Sequence, residues 1–208
     1  LITMDPELPG SMAFIENAAA AGLTVSLGHT NATADTAREA ADCGATHVTH
    51  LFNAQSPLHH REPGVPGAAL TDDRLFCEII CDGIHLHPDI LNLVYRAKGA
   101  GKALAITDAM EAAGMPDGEY RLGGQPVYVE QGQARLGDGT LAGSVLTMPQ
   151  ALKNLIHLAR VPAEDAVRMC TETPAVSIGC GSAGRLAAGL TGPLTLWDSG
   201  WERWSVLF

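Results

Sequence analysis

Short apolar runs alternate with helix-period stretches along most of this chain. Thr24-Val25-Ser26-Leu27 is a β-compatible run stopped by Gly28, and Thr46-His47-Val48-Thr49 is a second one. Leu75 to Cys81 is a third, broken only by Glu78, and Ala103 to Ile106 is a short buried fourth. Between the first two, Thr33 can cap a helix opened by Ala34, with Asp35 in its first turn and Gly44 past its end. Pro88 to Lys98 carries Ile90, Leu91, Val94 and Tyr95 at helical spacing and stops at Gly99. Strand, helix and strand in alternation predict βαβ units, hence a parallel sheet with right-handed crossovers. Residues 1–22 read as a loop followed by a helix from Ser11, its cap, to Ala20, with no strand before it. The chain is therefore expected to start inside a βα repeat.

The remainder departs from that rhythm. A long Pro/Gly-rich stretch from Leu51 through Gly67 reads as a rim loop. Residues 115–140 read as a β-hairpin excursion, with turn signals at Gly123-Gly124 and Asp138-Gly139. Helices are expected at about Pro149 to Ala159, at Pro162 to Cys170 and from Thr173-Pro174 onward. Strands are expected from Gly184-Arg185-Leu186 through Trp197-Asp198. The strands past residue 180 read as separate from the βα region over 1–180.

The 208 residues can bury a substantial core, and only 17% are charged against a usual value of about 25%. A net charge of −10 argues against nucleic acid or anionic membrane as partner, since no basic stripe is present to neutralise phosphates. The start, LITMDPELPG, has neither a basic nor an apolar leader region, and no run approaches membrane-spanning length, so a soluble cytoplasmic protein is expected. The five cysteines lack a CxxC pair, and Cys77 and Cys81 read as small core residues on one strand face.

Candidate chemistry sits at strand ends. His29 and His50 each close a strand, Asp82-Gly83-Ile84-His85 closes another and Thr107-Asp108 a fourth. In a barrel these positions share the C-terminal rim where active sites gather. Each has an ordinary alternative: a lone histidine is usually satisfied by a backbone carbonyl, His87 reads as a helix cap, and Arg61 can simply pair with Glu62. Four such residues at one rim favour a metal or acid–base site.

GHTNAT, THLFNA followed by REPG, ICDGIH, ITDAM and LAGSVLTM, in this order and spacing, resemble the N-acetylglucosamine-6-phosphate deacetylase family of the amidohydrolase superfamily, from about Leu23 to Trp197. The resemblance implies a (β/α)8 TIM barrel, an α/β fold, present here as roughly its second half: a partial barrel domain over 1–180 followed by a remnant of a small β-sandwich domain over 181–208. It implies that His29 and His50 bind a divalent metal, zinc first and iron second, and that Asp108 is the catalytic aspartate. His85 then touches the acetamido group, and Asn53 and Ala54 contact the sugar phosphate. Arg61 binds phosphate, in the family from a neighbouring subunit, so a homodimer with Arg61 near the interface is expected. Leu146, Thr147 and Met148 match a loop closing over the substrate, N-acetylglucosamine 6-phosphate. The family's glutamate ligand belongs to a motif that would precede Leu1. The expectation is therefore the C-terminal part of a longer hydrolase, with unpaired sheet edges that favour association. The competing readings are an inactive fragment that binds sugar phosphate or a partner, and another amidohydrolase acting on a cyclic amide.

Overall fold

The computed structural model describes residues 1–208. Strands β1 (Ile2–Met4), β2 (Val25–Leu27), β3 (His47–Val48), β4 (Phe76–Ile80) and β5 (Ala103–Ile106) form one parallel sheet in the order β1-β2-β3-β4-β5. Helices α1 (Ser11–Ala20), α2 (Ala34–Asp42), α3 (Gly64–Thr71) and α4 (Pro88–Lys98) are the crossovers between successive strands. Every strand therefore points the same way, and all the loops that follow strands emerge at one rim.

Period 2 divides the sheet into two unlike faces. Val25, Leu27, Val48, Cys77, Ile79, Ala103 and Ala105 are at most 2% exposed and belong to one cluster with Ile15, Ala37, Ala40, Leu91 and Val94 of the helices. Burial of each large side chain there contributes about 1.5–3 kcal/mol. The opposite face is polar: Ser26 is in register with Thr3 and His47, and Glu78 lies two residues beyond His47's other partner, Phe76.

Local chemistry sets the helix ends. Thr33 Oγ1 accepts from the Thr36 amide at 3.2 Å, and His87 Nδ1 accepts from the Asp89 amide at 3.2 Å with Pro88 in the first turn. Gly44 has φ 111°, and a Cβ there would come within 2.6 Å of Ala19 Cβ, so the end of α2 needs glycine for both conformation and room.

Four expectations need correction. A strand does precede the first helix: Ile2, Thr3 and Met4 pair in parallel with Val25, Ser26 and Leu27. Three residues ahead of Asp5-Pro6 gave too short an apolar run to register as a strand. Ser11 does not cap α1; Gly10 holds that position at φ 85°, and the Ser11 hydroxyl donates to the Asp5 carbonyl at 2.9 Å. The Pro/Gly-rich rim loop is shorter than expected, because α3 starts at Gly64 and its Gly67 packs in a helix against Pro63 and Leu58. Residues 184–186 form no strand, and the C-terminal hairpin begins only at Leu194.

Beyond β5, β6 (Gly118–Leu122), β7 (Gln125–Glu130) and β8 (Gln133–Arg135) make an antiparallel sheet over its own small cluster that includes Met110, Val127 and Val129. Helices α5 (Met148–His157), α6 (Ala163–Cys170) and α7 (Glu172–Ser177) then return to the sheet. The last hairpin, β9 (Leu194–Trp197) and β10 (Trp204–Leu207), groups Trp197 with Trp201 and Trp204.

Candidate metal centre at the strand-end rim

His29 and His50 meet directly. Their Nε2 atoms are 2.9 Å apart, with the rings edge to face at 4.7 Å between centroids. His29 follows β2 through the close turn at Gly28, and His50 follows β3 through Thr49. The segments beyond them are stitched together: Thr30 N donates to the Ala54 carbonyl and Ser56 N to the Thr30 carbonyl, each at 3.0 Å. Gln55 reaches back to donate to the Thr49 carbonyl at 2.8 Å and accepts from the Phe52 amide at 3.0 Å.

Backbone strain concentrates at this rim. His29 (φ 52°), His50 (φ 33°), Phe52 (φ 75°), Ala54 (φ 48°) and Asp108 (φ 48°) all adopt positive φ. Each costs about 1–3 kcal/mol and persists only where the surroundings over-determine it. The hydrogen bonds just described supply that constraint around His29, His50, Phe52 and Ala54, and the Ser144 amide donating to the Asp108 carbonyl supplies it at Asp108.

His50 is buried, and burial is the first reason its pKa lies below the ordinary value, with His29 adding to it and the charge of Asp108 opposing. A lowered pKa favours the neutral imidazole, the form that can ligate a metal. Its Nδ1 makes no hydrogen bond, although the carbonyls of His50 and Asn53 lie near enough to favour protonation. The two imidazole nitrogens converge at 2.9 Å, hydrogen-bond distance; as two ligands of one ion, with zinc–nitrogen bonds of about 2.0–2.1 Å in tetrahedral geometry, they would sit about 3.3 Å apart, so a small opening of the pair lets it hold a divalent ion. No third histidine, cysteine or carboxylate closes on the pair. Asp5 and Glu7 instead line a cleft of about 410 Å³ with His29, Asn31, Ala54 and Gln55.

His85 is held by a neighbour that the sequence reading placed only as a strand-closing residue. Asp82 Oδ2 lies 2.6 Å from His85 Nδ1, while Asp82 Oδ1 accepts from the Ile84 and His85 amides at 2.8 Å each. Burial works to raise the Asp82 pKa, but the hydrogen bonds from His85 and the two amides outweigh it and hold the carboxyl below its usual range. Asp108 is exposed, its carbonyl accepts from Ser144 N at 2.9 Å, and its charge reaches both His50 and Glu78.

The remaining candidates are placed less centrally. The Asn53 amide is folded back onto the carbonyls of His50 and Leu51 at 3.3 Å each. Arg61 is exposed and donates to His60 Nε2 at 2.7 Å, with no contact to Glu62. Leu146 is buried in the main core, Thr147 caps α5 by accepting from Gln150 N at 3.4 Å, and Met148 opens that helix. Gln55, Asp82 and Glu7 were absent from the candidate residues. Asp82 alone carried a signal, since an Asp-Gly after a strand announces a side-chain-to-amide turn.

A parallel sheet with helical crossovers and a histidine pair on its carboxyl rim defines the chain's class, and the chain belongs to the amidohydrolase family: residues 11–204 match its model. Within that family it is similar to the N-acetylglucosamine-6-phosphate deacetylase of Lysinibacillus sphaericus, 43% identical over 188 residues that cover 90% of this chain and 49% of that protein. An N-acetylgalactosamine-6-phosphate deacetylase of Escherichia coli O157:H7 is 39% identical over 96% of this chain and 53% of its own length. Among solved structures, a Mycobacterium smegmatis N-acetyl-D-glucosamine-6-phosphate deacetylase, an aspartate-to-alanine variant in complex with N-acetyl-D-glucosamine-6-phosphate, superposes with a TM-score of 0.91. It is 41% identical, and the match covers 96% of this chain and 53% of that one. The chain thus spans about half the length of these relatives. No helix is long and apolar enough to cross a membrane.

Proposed function

We propose that this chain carries the rim of a metal-dependent hydrolase that removes the acetyl group from N-acetylglucosamine 6-phosphate, yielding glucosamine 6-phosphate and acetate. The observation that carries the reading is the 2.9 Å convergence of His29 and His50 at the carboxyl ends of adjacent parallel strands. The similarity to deacetylases over nine-tenths of the chain supports the substrate class.

His29 and His50 would hold the divalent ion, zinc first and iron second. Bound there, it would supply Lewis acidity that acidifies water and polarises the amide carbonyl. Asp108, exposed and without a side-chain partner, takes the proton from the attacking water and returns it to the leaving amine, acting first as base and then as acid. His85, its Nδ1 committed to Asp82, offers Nε2 to the oxyanion of the tetrahedral intermediate. Asn53 and Ala54 contact the sugar phosphate, and Arg61 binds the phosphate across the interface of a homodimer. That role suits an exposed guanidinium whose partner is only His60. Leu146, Thr147 and Met148 would frame the substrate at the start of α5. A cytoplasmic location suits a phosphorylated sugar.

Acetate release from N-acetylglucosamine 6-phosphate, measured with added zinc or ferrous iron and repeated with Asp108→Asn, tests the reading. Zinc-dependent turnover abolished by the substitution is expected, and turnover that survives it would remove Asp108 as the base. The second reading, a fragment that binds sugar phosphate without turning it over, is favoured by one observation: only two ligands meet at the rim. Binding without acetate release would select it. Running N-acetylgalactosamine 6-phosphate in parallel separates the two sugar epimers.

A further inference from the structure

The segment 141–146 runs between two partners. On one side it continues the small antiparallel sheet, with Leu141 bridged to Arg135 and the Ala142 amide donating to the Ala134 carbonyl at 3.0 Å. On the other it lies beside the chain leaving β5. There the Ser144 amide donates to the Asp108 carbonyl and the Met110 amide to the Ser144 carbonyl, each at 2.9 Å. Ser144 is only 3% exposed, and its hydroxyl is committed twice. It donates to the Thr107 carbonyl and accepts from the Leu146 amide at 3.1 Å. The two peptide groups that flank the Asp108 Cα are therefore both held by one residue, the first through its hydroxyl and the second through its amide. Because peptide groups are planar, fixing both of them fixes the φ and ψ of the residue between them. Asp108 sits at φ 48°, a setting that a non-glycine residue keeps only under such constraint. The same hydroxyl, through Leu146, sets the start of the segment that leads into α5, where Thr147 is the cap.

We propose that Ser144 is a positioning residue for Asp108: its hydroxyl locks the peptide group ahead of the aspartate and ties it in fixed register to Leu146, Thr147 and Met148. The inference rests on the deacetylase reading for its functional meaning, but the lock itself is measurable without substrate or metal. The test is amide hydrogen exchange, read residue by residue by nuclear magnetic resonance in the full 208-residue chain. In the wild type the amides of Ser144, Leu146 and Met110 should be protected. Ser144→Ala removes one oxygen; it should expose the Leu146 amide outright and speed exchange at position 144 and Met110 by about tenfold. Ile79 and Ala105, inside the sheet, should keep their rates. Thr173→Val is the control, because it removes another buried hydroxyl-to-carbonyl bond, from Thr173 to Ala100 ahead of β5, and should leave the three amides unchanged. Ser144→Cys keeps the volume and weakens both bonds, and decides the matter if Ser144→Ala does not fold. The proposal is overturned if only Leu146 exchanges faster, if Ile79 and Ala105 speed up as much, or if Thr173→Val moves the three amides equally. Acetate release is followed on the same samples, where Ser144→Ala should lower kcat about tenfold and change KM less. An unchanged kcat in the variant of an active wild type would also overturn the proposal. A wild type that protects the three amides but releases no acetate would defeat the deacetylase reading and leave the positioning role standing.

Discussion

The carboxylate of Asp82 and the imidazole of His85 sit 2.6 Å apart with side chains only 9% and 7% exposed, three residues apart in one turn. A buried carboxylate on Nδ1 fixes the tautomer that presents Nε2–H outward. Asp82→Asn keeps the shape but offers either an amide donor or a weaker acceptor to Nδ1. A hydrogen bond to a charged group is worth about 1.5–3 kcal/mol, so acetate release should fall roughly 10- to 100-fold, chiefly in kcat. Steady-state kinetics of the variant check this, and an unchanged kcat would detach His85 from the chemistry.

The interior of the sheet makes a prediction about pH. Burial, then the charge of Lys102, lower the pKa of His47 to about 4, so from 6.5 down to 4 the unfolded chain binds the extra proton and stability falls as pH falls. Glu78, raised to about 7, acts in the opposite sense: its contribution is complete below 4.5 and is lost as pH rises toward 7. The two slopes oppose each other between about pH 4.5 and 6.5, so the stability of the wild type, by urea unfolding, should climb less steeply there than that of a chain without the glutamate. Glu78→Gln removes the arm that falls with rising pH, leaving stability that climbs by about 2–3 kcal/mol across the window. A flat profile in that variant would contradict the assignment.

Gly28 is the close point of the rim. A Cβ there would come within 2.9 Å of Thr3 Cγ2 and 3.0 Å of Thr49 Cβ, both short, stiff side chains whose hydroxyls are hydrogen-bonded to each other at 3.0 Å. Gly28→Ala should destabilise the chain by about 1–3 kcal/mol, the usual cost of overpacking. Because the displaced residue is Thr49, zinc affinity should fall further than that loss of stability explains. Denaturant unfolding and a zinc titration on the same preparation separate the two effects.

Much of this arrangement is legible in the residues because it is local. Thr33 with Asp35, and Pro88 with Gly99, bound helices whose ends the structure places where capping chemistry puts them. Strand-end histidines become rim histidines as soon as the strands are parallel. What stayed hidden depends on partners distant in sequence. Ile2–Met4 is a strand only because β2 offers it an edge, and α3 begins among prolines and glycines because Val65, Ala68 and Ala69 have a core to enter. Glu78 read as a mere interruption in an apolar run. Its burial on the polar face comes from the strands packed on either side of β4, which the run itself does not show.

Two imidazoles at one rim make a specific prediction about metal. An ion that binds only the folded chain stabilises it by about 2.7 kcal/mol at one hundred times its dissociation constant. Zinc should therefore raise the thermal midpoint, and a chelator should reverse the rise. His29→Ala and His50→Ala should each abolish the effect, since either leaves a single nitrogen. They should differ without metal: His29 is exposed and costs little to lose, whereas His50 is buried and its removal leaves a cavity beneath the rim. Acidification gives an independent check. Each ligand must be neutral to bind, so the zinc-induced shift should shrink as pH falls. A shift that persists in both alanine variants would place the ion elsewhere and separate the histidine pair from metal binding.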